Sequence, residues 1–192
     1  MSIQTASTAD DFGDEYYVIN WTEPPQFNPL INLPCSVDNS LARWLYEEAS
    51  IEIDIAGPPL SISRCSRLLF NYNFAPNDSV LLGDNLAGRM PVHLRFATPL
   101  RSAGAAVSAV GPVGRDYLAQ CALRLDNGQW WQVPPVQARL SRTRGTAPFL
   151  GGTAAPGRSI VEAWFDVVDP ANQVDFMRVA INGLCFVPDG AV

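Results

Sequence analysis

The chain has 192 residues, 47% of them hydrophobic and 17% charged, with a formal net charge of −6. That is enough apolar material for a substantial core, it suits one domain of ordinary size, and it excludes an intrinsically disordered chain. The acidic balance disfavours phosphate backbones and anionic membrane surfaces, so no nucleic-acid partner is expected, and no apolar run approaches membrane-spanning length, so no membrane insertion is expected.

Residues 1–15 are polar and acidic, with Asp10, Asp11, Asp14 and Glu15 close together. They read as a mobile tail ahead of a single domain over residues 16–192. The first residues hold no basic stretch followed by an apolar one, so no secretory leader is expected there. Residues 16–21 predict a first strand, and Pro24-Pro25 and Pro29 predict an extended connector. Asp38 or Asn39 can cap one short helix, because a short side-chain acceptor satisfies free N–H groups in a first turn. Leu41, Trp44, Leu45 and Glu48 continue it at helical spacing, to an end near Ala49.

From Ile51, Ile53 and Ile55 the period becomes two, which predicts a strand stopped by Gly57-Pro58-Pro59. Residues 60–66 and 67–74 predict further strands, Pro76-Asn77-Asp78 a turn, and Val80-Leu81-Leu82 a short apolar strand. Val92, Leu94 and Phe96 alternate with His93 and Arg95, and a turn is predicted at Ala97-Thr98-Pro99. Strands are also predicted over 119–125, 160–168 and 176–186. Asp126-Asn127-Gly128-Gln129 predicts a two-residue hairpin with a type I′ turn. That register sets Trp130 toward the core and Trp131 toward solvent, and it needs a bulge to accommodate Val133. Pro134-Pro135 should end the strand, and residues 141–158 should form a long loop. Together these elements predict an all-β, jelly-roll-like antiparallel β-sandwich with one short helix in its N-terminal half.

Four motifs in order carry a resemblance. They are Phe96-Ala97-Thr98-Pro99-Leu100, Ala103-Gly104-Ala105, Ala147-Pro148-Phe149-Leu150-Gly151 and Val179-Ala180-Ile181-Asn182-Gly183-Leu184. The stretch 80–187 resembles bacterial exported β-sandwich domains of the kind found in proteins with a PEP-CTERM sorting tail. Asn182-Gly183 stands where that family commonly has Asp-Asn, and no membrane-spanning tail follows Val187-Pro188-Asp189. The resemblance implies a sandwich used for binding or structure, placed outside the cell or at its surface. A shared fold hosts many functions, so the ligand has to be argued from the site.

The chemistry-bearing residues are few. All 13 cations are arginine, which excludes Schiff-base chemistry and a lysine base. His93 is the one histidine, which excludes two-histidine zinc motifs, and no G-x-S-x-G elbow accompanies it. Glu47, Glu48, Glu162 and Asp166 are the carboxylates a glycosidase would draw on. Cys35, Cys65, Cys121 and Cys185 form no C-x-x-C pair. They are either disulfides, with 35–65 and 121–185 the preferred pairing, or buried thiols. Exposed aromatic rings with polar neighbours suit a glycan, and Trp131, Arg124, Tyr117, Asp116 and Gln132 are the candidate platform. No cofactor is expected. A calcium ion would draw on Asp84, Asn85 and Asp175, with Asp166 and Asp169 as further donors. Arg139, Arg142, Arg144 and Arg158 surround the predicted loop and suit an anionic ligand or an acidic neighbour.

The favoured reading is therefore a non-catalytic module that recognises a ligand or another protein, with a glycan as the favoured ligand. The alternatives are a structural subunit of a self-assembling coat, shell or fibre, in which the chain forms a homo-oligomer, and a carboxylate-pair hydrolase.

Overall fold

A computed structural model describes residues 3–13, 15–19, 21, 43–46, 51–55, 60–64, 73–75, 78–84, 91–171 and 178–190. Period-two alternation builds its strands: β1 (Ile3–Ala6), β2 (Tyr17–Ile19), β3 (Arg43–Tyr46), β4 (Ile51–Ile55), β5 (Leu60–Arg64), β6 (Ser79–Asp84), β7 (Val92–Ala109), β8 (Asp116–Leu125), β9 (Trp130–Arg139), β10 (Phe149–Ala154), β11 (Ile160–Val168) and β12 (Arg178–Pro188). Every pairing among them is antiparallel. The expected all-β sandwich architecture is the one found.

Strand β7 organises both layers. Its first part pairs with β4 and β11, and its second part pairs with β10 and β12. One layer is therefore β3-β4-β7-β11-β8-β9, and the other is β1-β10-β7-β12-β6-β5, with β2 also on β12. The crossing point is the predicted turn at Ala97-Thr98-Pro99. The chain does not reverse there. Instead residues 96–99 of β7 stand opposite the single residue Val161, a bulge that bends the strand from one layer into the other. Leu94 and Phe96, Tyr117 and Leu123, Phe165, Val179 and Phe186 fill the space between.

Several expectations need correction. The helix expected after Asp38 is not there: Arg43–Tyr46 is a strand paired with β4, because cross-strand bonding overrode the local 3.6-residue spacing. The rest of that segment lies outside the described residues, as do residues 65–66 of the expected 60–66 strand and 67–72 of the expected 67–74 strand. The acidic tail is tied down. Ile3–Ala6 pairs with β10, Ser7 and Thr8 N–H groups donate to Asp11 Oδ2, and buried Phe12 meets Phe149 edge-on at 5.7 Å. The loop expected over 141–158 contains β10, placed between β1 and β7.

The hairpin differs by one residue. Leu125 N–H donates to Gln129 O and Gly128 N–H to Leu125 O, so Asp126, Asn127 and Gly128 form a three-residue loop. Only Gly128 has positive φ, at +83°, whereas a type I′ turn needs it at both central residues. Asn127 instead accepts the Gln129 N–H on its side chain. Arg124 consequently pairs with Trp130 and Leu123 with Trp131. A one-residue slip exchanges the two faces: Trp130 is 40% exposed and Trp131 packs against the core. Val133 then falls inside without a bulge of its own.

Pro134 and Pro135 do not end β9. They sit together opposite Gln120, where the register shifts by one. β9 is an edge strand among the described residues, so a missing N–H there leaves no ladder bond broken.

Within one layer, β7 and β10 approach closely where Gly104 faces Gly151. A Cβ built on Gly151 would lie 2.5 Å from Ala103 O and 2.6 Å from Gly104 Cα, both backbone atoms that cannot swing aside. Gly151→Ala should therefore destabilise the fold by about 1–3 kcal/mol, read as a lower urea midpoint. An unchanged midpoint would show that the two strands separate freely.

Candidate functional site

The outer face of the β7-β11-β8-β9 layer collects the polar chemistry. β11 is hemmed on both sides, so its outward residues meet two neighbours at once. Glu162 stands between Arg95 of β7 and Arg124 of β8, with Asp54 beyond Arg95 and Trp130 beyond Arg124. One step along, His93, Trp164, Ala122 and Gln132 form the next cross-strand row. Sheet register alone produces this juxtaposition from five strands.

Glu162 is the hub. Its Oε1 accepts from Arg124 Nη1 at 2.6 Å and lies 3.5 Å from Arg95 Nε, while Oε2 is 2.6 Å from His93 Nε2. An ionised carboxylate only accepts, so His93 must donate from Nε2. Burial pushes the Glu162 carboxyl up, yet the hydrogen bonds from His93 and Arg124 and the charges of His93 and Arg95 outweigh it and hold it below its ordinary range. The His93 ring in turn lies 5.9 Å from the Trp130 ring, tilted by 56°. Arg124 Nε and Trp164 Nε1 are buried donors with no acceptor among the described residues. Such groups want a water or a ligand oxygen.

Glu162 is fully engaged, and Asp166 lies four residues along the same strand, about 13 Å away. That exceeds the 5–9.5 Å or so over which two glycosidase carboxylates cooperate. Asp166 Oδ1 accepts the Val167 N–H.

The candidate platform residues separate. Arg124 and Gln132 do share the outer face. Tyr117 is on the opposite side of β8, fully buried, where its hydroxyl donates to Val107 O and accepts from Asn73 Nδ2. Asp116 stands at the far end of β8, 3.9 Å from Arg139. Trp131 faces inward for the reason of register given above. The ring that sequence reasoning missed is Trp130. Reading Gly128 as the only left-handed residue of the turn would have found it.

No group of three or more metal-ligating side chains occurs among the described residues. Asp169 accepts from Arg115 Nη2 at 2.7 Å. Only the backbone of Asp84 is described, paired with Arg178, and Asn85 and Asp175 lie outside the described residues. The loop arginines disperse too: Arg158 Nη1 is 3.8 Å from Asp126, Arg139 is with Asp116, and Arg142 and Arg144 are exposed.

Cys121 and Cys185 are free buried thiols and do not form the 121–185 bridge. Cys121 points into the main core, whereas Cys185 points to the other side of its layer, against Ala6 and Phe12. Burial raises the Cys185 thiol to about 12 and pushes Cys121 up as well, so neither is a thiolate near neutral pH. Cys35 and Cys65 lie outside the described residues.

No family model and no curated protein matches the sequence. The fold is similar to the crystal structure of a DUF4465 family protein from Bacteroides caccae, with a TM-score of 0.52 at 10% identity, over 92% of this chain and 100% of that one. At that identity the likeness concerns the fold alone.

The depressed Glu162 carboxyl sets a pH dependence. Its contribution is complete above its unfolded value of about 4.3 and is lost as pH falls through the lower native value. Glu162→Gln should cost about 2 kcal/mol at neutral pH, and the gap from the parent should close as pH drops below about 4. Urea unfolding across that range reads it; a pH-independent gap would contradict the charge-based account.

Proposed function

We propose that this chain is a non-catalytic recognition module that holds a glycan on the outer face of the β7-β11-β8-β9 layer. The observation that carries this reading is the exposed Trp130 ring, flanked by His93, Arg124 and Gln132 on one sheet face. A sugar ring presents C–H groups to an indole face and hydroxyls to polar neighbours. Gln132 spends only Nε2 on the Cys121 carbonyl, at 3.3 Å, leaving its amide oxygen for a hydroxyl. Placement outside the cell follows from the resemblance to exported domains and belongs to the same proposal.

A self-assembling coat, shell or fibre subunit remains the second reading. Pro134 and Pro135 interrupt the side of β9 that has no partner strand among the described residues, which works against strand addition there.

Glycan-array screening followed by calorimetry tests the first reading. Trp130→Ala should weaken binding at least about tenfold, since one aromatic contact contributes on the order of 1 kcal/mol beyond its buried area. Trp131→Ala should leave that binding in place. Binding that survives Trp130→Ala, or a large regular particle by light scattering with no glycan bound, would reject it.

A further inference from the structure

A second cavity lies on the other side of the β8–β9 hairpin, independent of the Trp130 face. It is a cleft of about 930 Å³ lined by residues of β1, β9 and the turn after β10, a size usual for small-molecule sites. Among the described residues β1 and β9 are edge strands of opposite layers, and the cleft lies between them. Ile3, Trp131, Pro134 and Pro156 give it an apolar lining.

Its charges are set by three residues. Arg101 lies on β7 just past the bulge, is exposed, and has no ion pair among the described residues. Arg158 closes a turn by donating its N–H to Ala155 O, with Gly157 at φ +77°. Its guanidinium keeps only a loose contact with Asp126, at 3.8 Å, and its side chain is 46% exposed. Asp189, the one carboxylate among the described lining residues, accepts the Ser159 hydroxyl. The cleft therefore offers two guanidinium groups above an apolar wall, with its own carboxylate engaged. Thr153 Oγ1 is already paired with Ser102 Oγ at 2.9 Å, and Gln4 and Thr5 of β1 add neutral polar groups at the rim.

We propose that this cleft binds an amphiphilic carboxylate, a small molecule with an apolar body and one carboxylate group, through Arg101 and Arg158. A guanidinium fork matches a carboxylate in two parallel hydrogen bonds. The apolar body lies against Trp131 and the prolines. The chain carries a net charge of −6, so long-range steering of an anion is absent and recognition is made at contact.

The full chain is titrated with anilinonaphthalene sulfonate, a fluorescent apolar anion, and the bound dye is displaced with decanoate, decanol or galacturonate. Saturable dye binding displaced by decanoate, and far less by decanol or galacturonate, is expected. Arg101→Gln alone, and the double variant with Arg158→Gln, should each weaken decanoate binding roughly tenfold or more. Both residues are exposed, so folding is retained, and near-UV circular dichroism checks it. Trp130→Ala should leave decanoate binding unchanged, which separates this site from the glycan face. Equal displacement by decanol, stronger displacement by galacturonate, absent saturable dye binding, or decanoate affinity unchanged in the folded arginine variants would each overturn the proposal.

Discussion

The backbone hydrogen bonds of Val92–Ala109 hold the two layers in one piece. A strand of 18 residues donates and accepts on both edges, first with β4 and β11, then with β10 and β12. No other described strand pairs in both layers. Its bulge at residues 96–99 lets one continuous ladder turn a corner, as strands do when they pass between packed sheets. Beyond the corner the side chains shrink to Ala103, Gly104, Ala105 and Ala106. Small residues let β10 come close enough for Gly104 and Gly151 to meet.

Electrostatics on the outer face depend on that frame. Glu162 is buried at 4% exposure, and a buried carboxylate is tolerated only with partners. The register supplies three, one from each neighbouring arginine position and one from His93. The arginines remain substantially exposed while the carboxylate is covered. The same interaction orients His93 beside Trp130, so a structural ion cluster and an aromatic surface are one construction.

Asn73 plays a comparable part inside. It takes φ +61° and is buried, with Oδ1 accepting the Ser141 N–H and Nδ2 donating to Tyr117 Oη and Arg139 O. A short amide tolerates the left-handed conformation and satisfies a buried junction at once. It ties the end of β9 to the start of β8 and to Ser141.

Strand identity was legible in the sequence wherever period two was sustained. Residues 160–168 were read with their observed bounds, β4 lay where alternating Ile51, Ile53 and Ile55 put it, and β6, β8 and β12 overlap the apolar segments read as strands, because burying a sheet face is a local demand on the sequence. What needed tertiary structure was every decision made by a partner strand. Arg43–Tyr46 joined β4 despite helical spacing, Thr98-Pro99 became a bend, and β10 formed inside a Gly-rich stretch because two neighbours were waiting for it. The hairpin loop settled which tryptophan faces solvent, since the Asp126-Asn127-Gly128 pattern fits two loop lengths and only the cross-strand bonds choose between them. Composition alone set the scarcity of histidine and the absence of lysine. The meeting of His93, Arg95, Arg124 and Glu162 was a matter of register between distant segments, which local pattern does not encode.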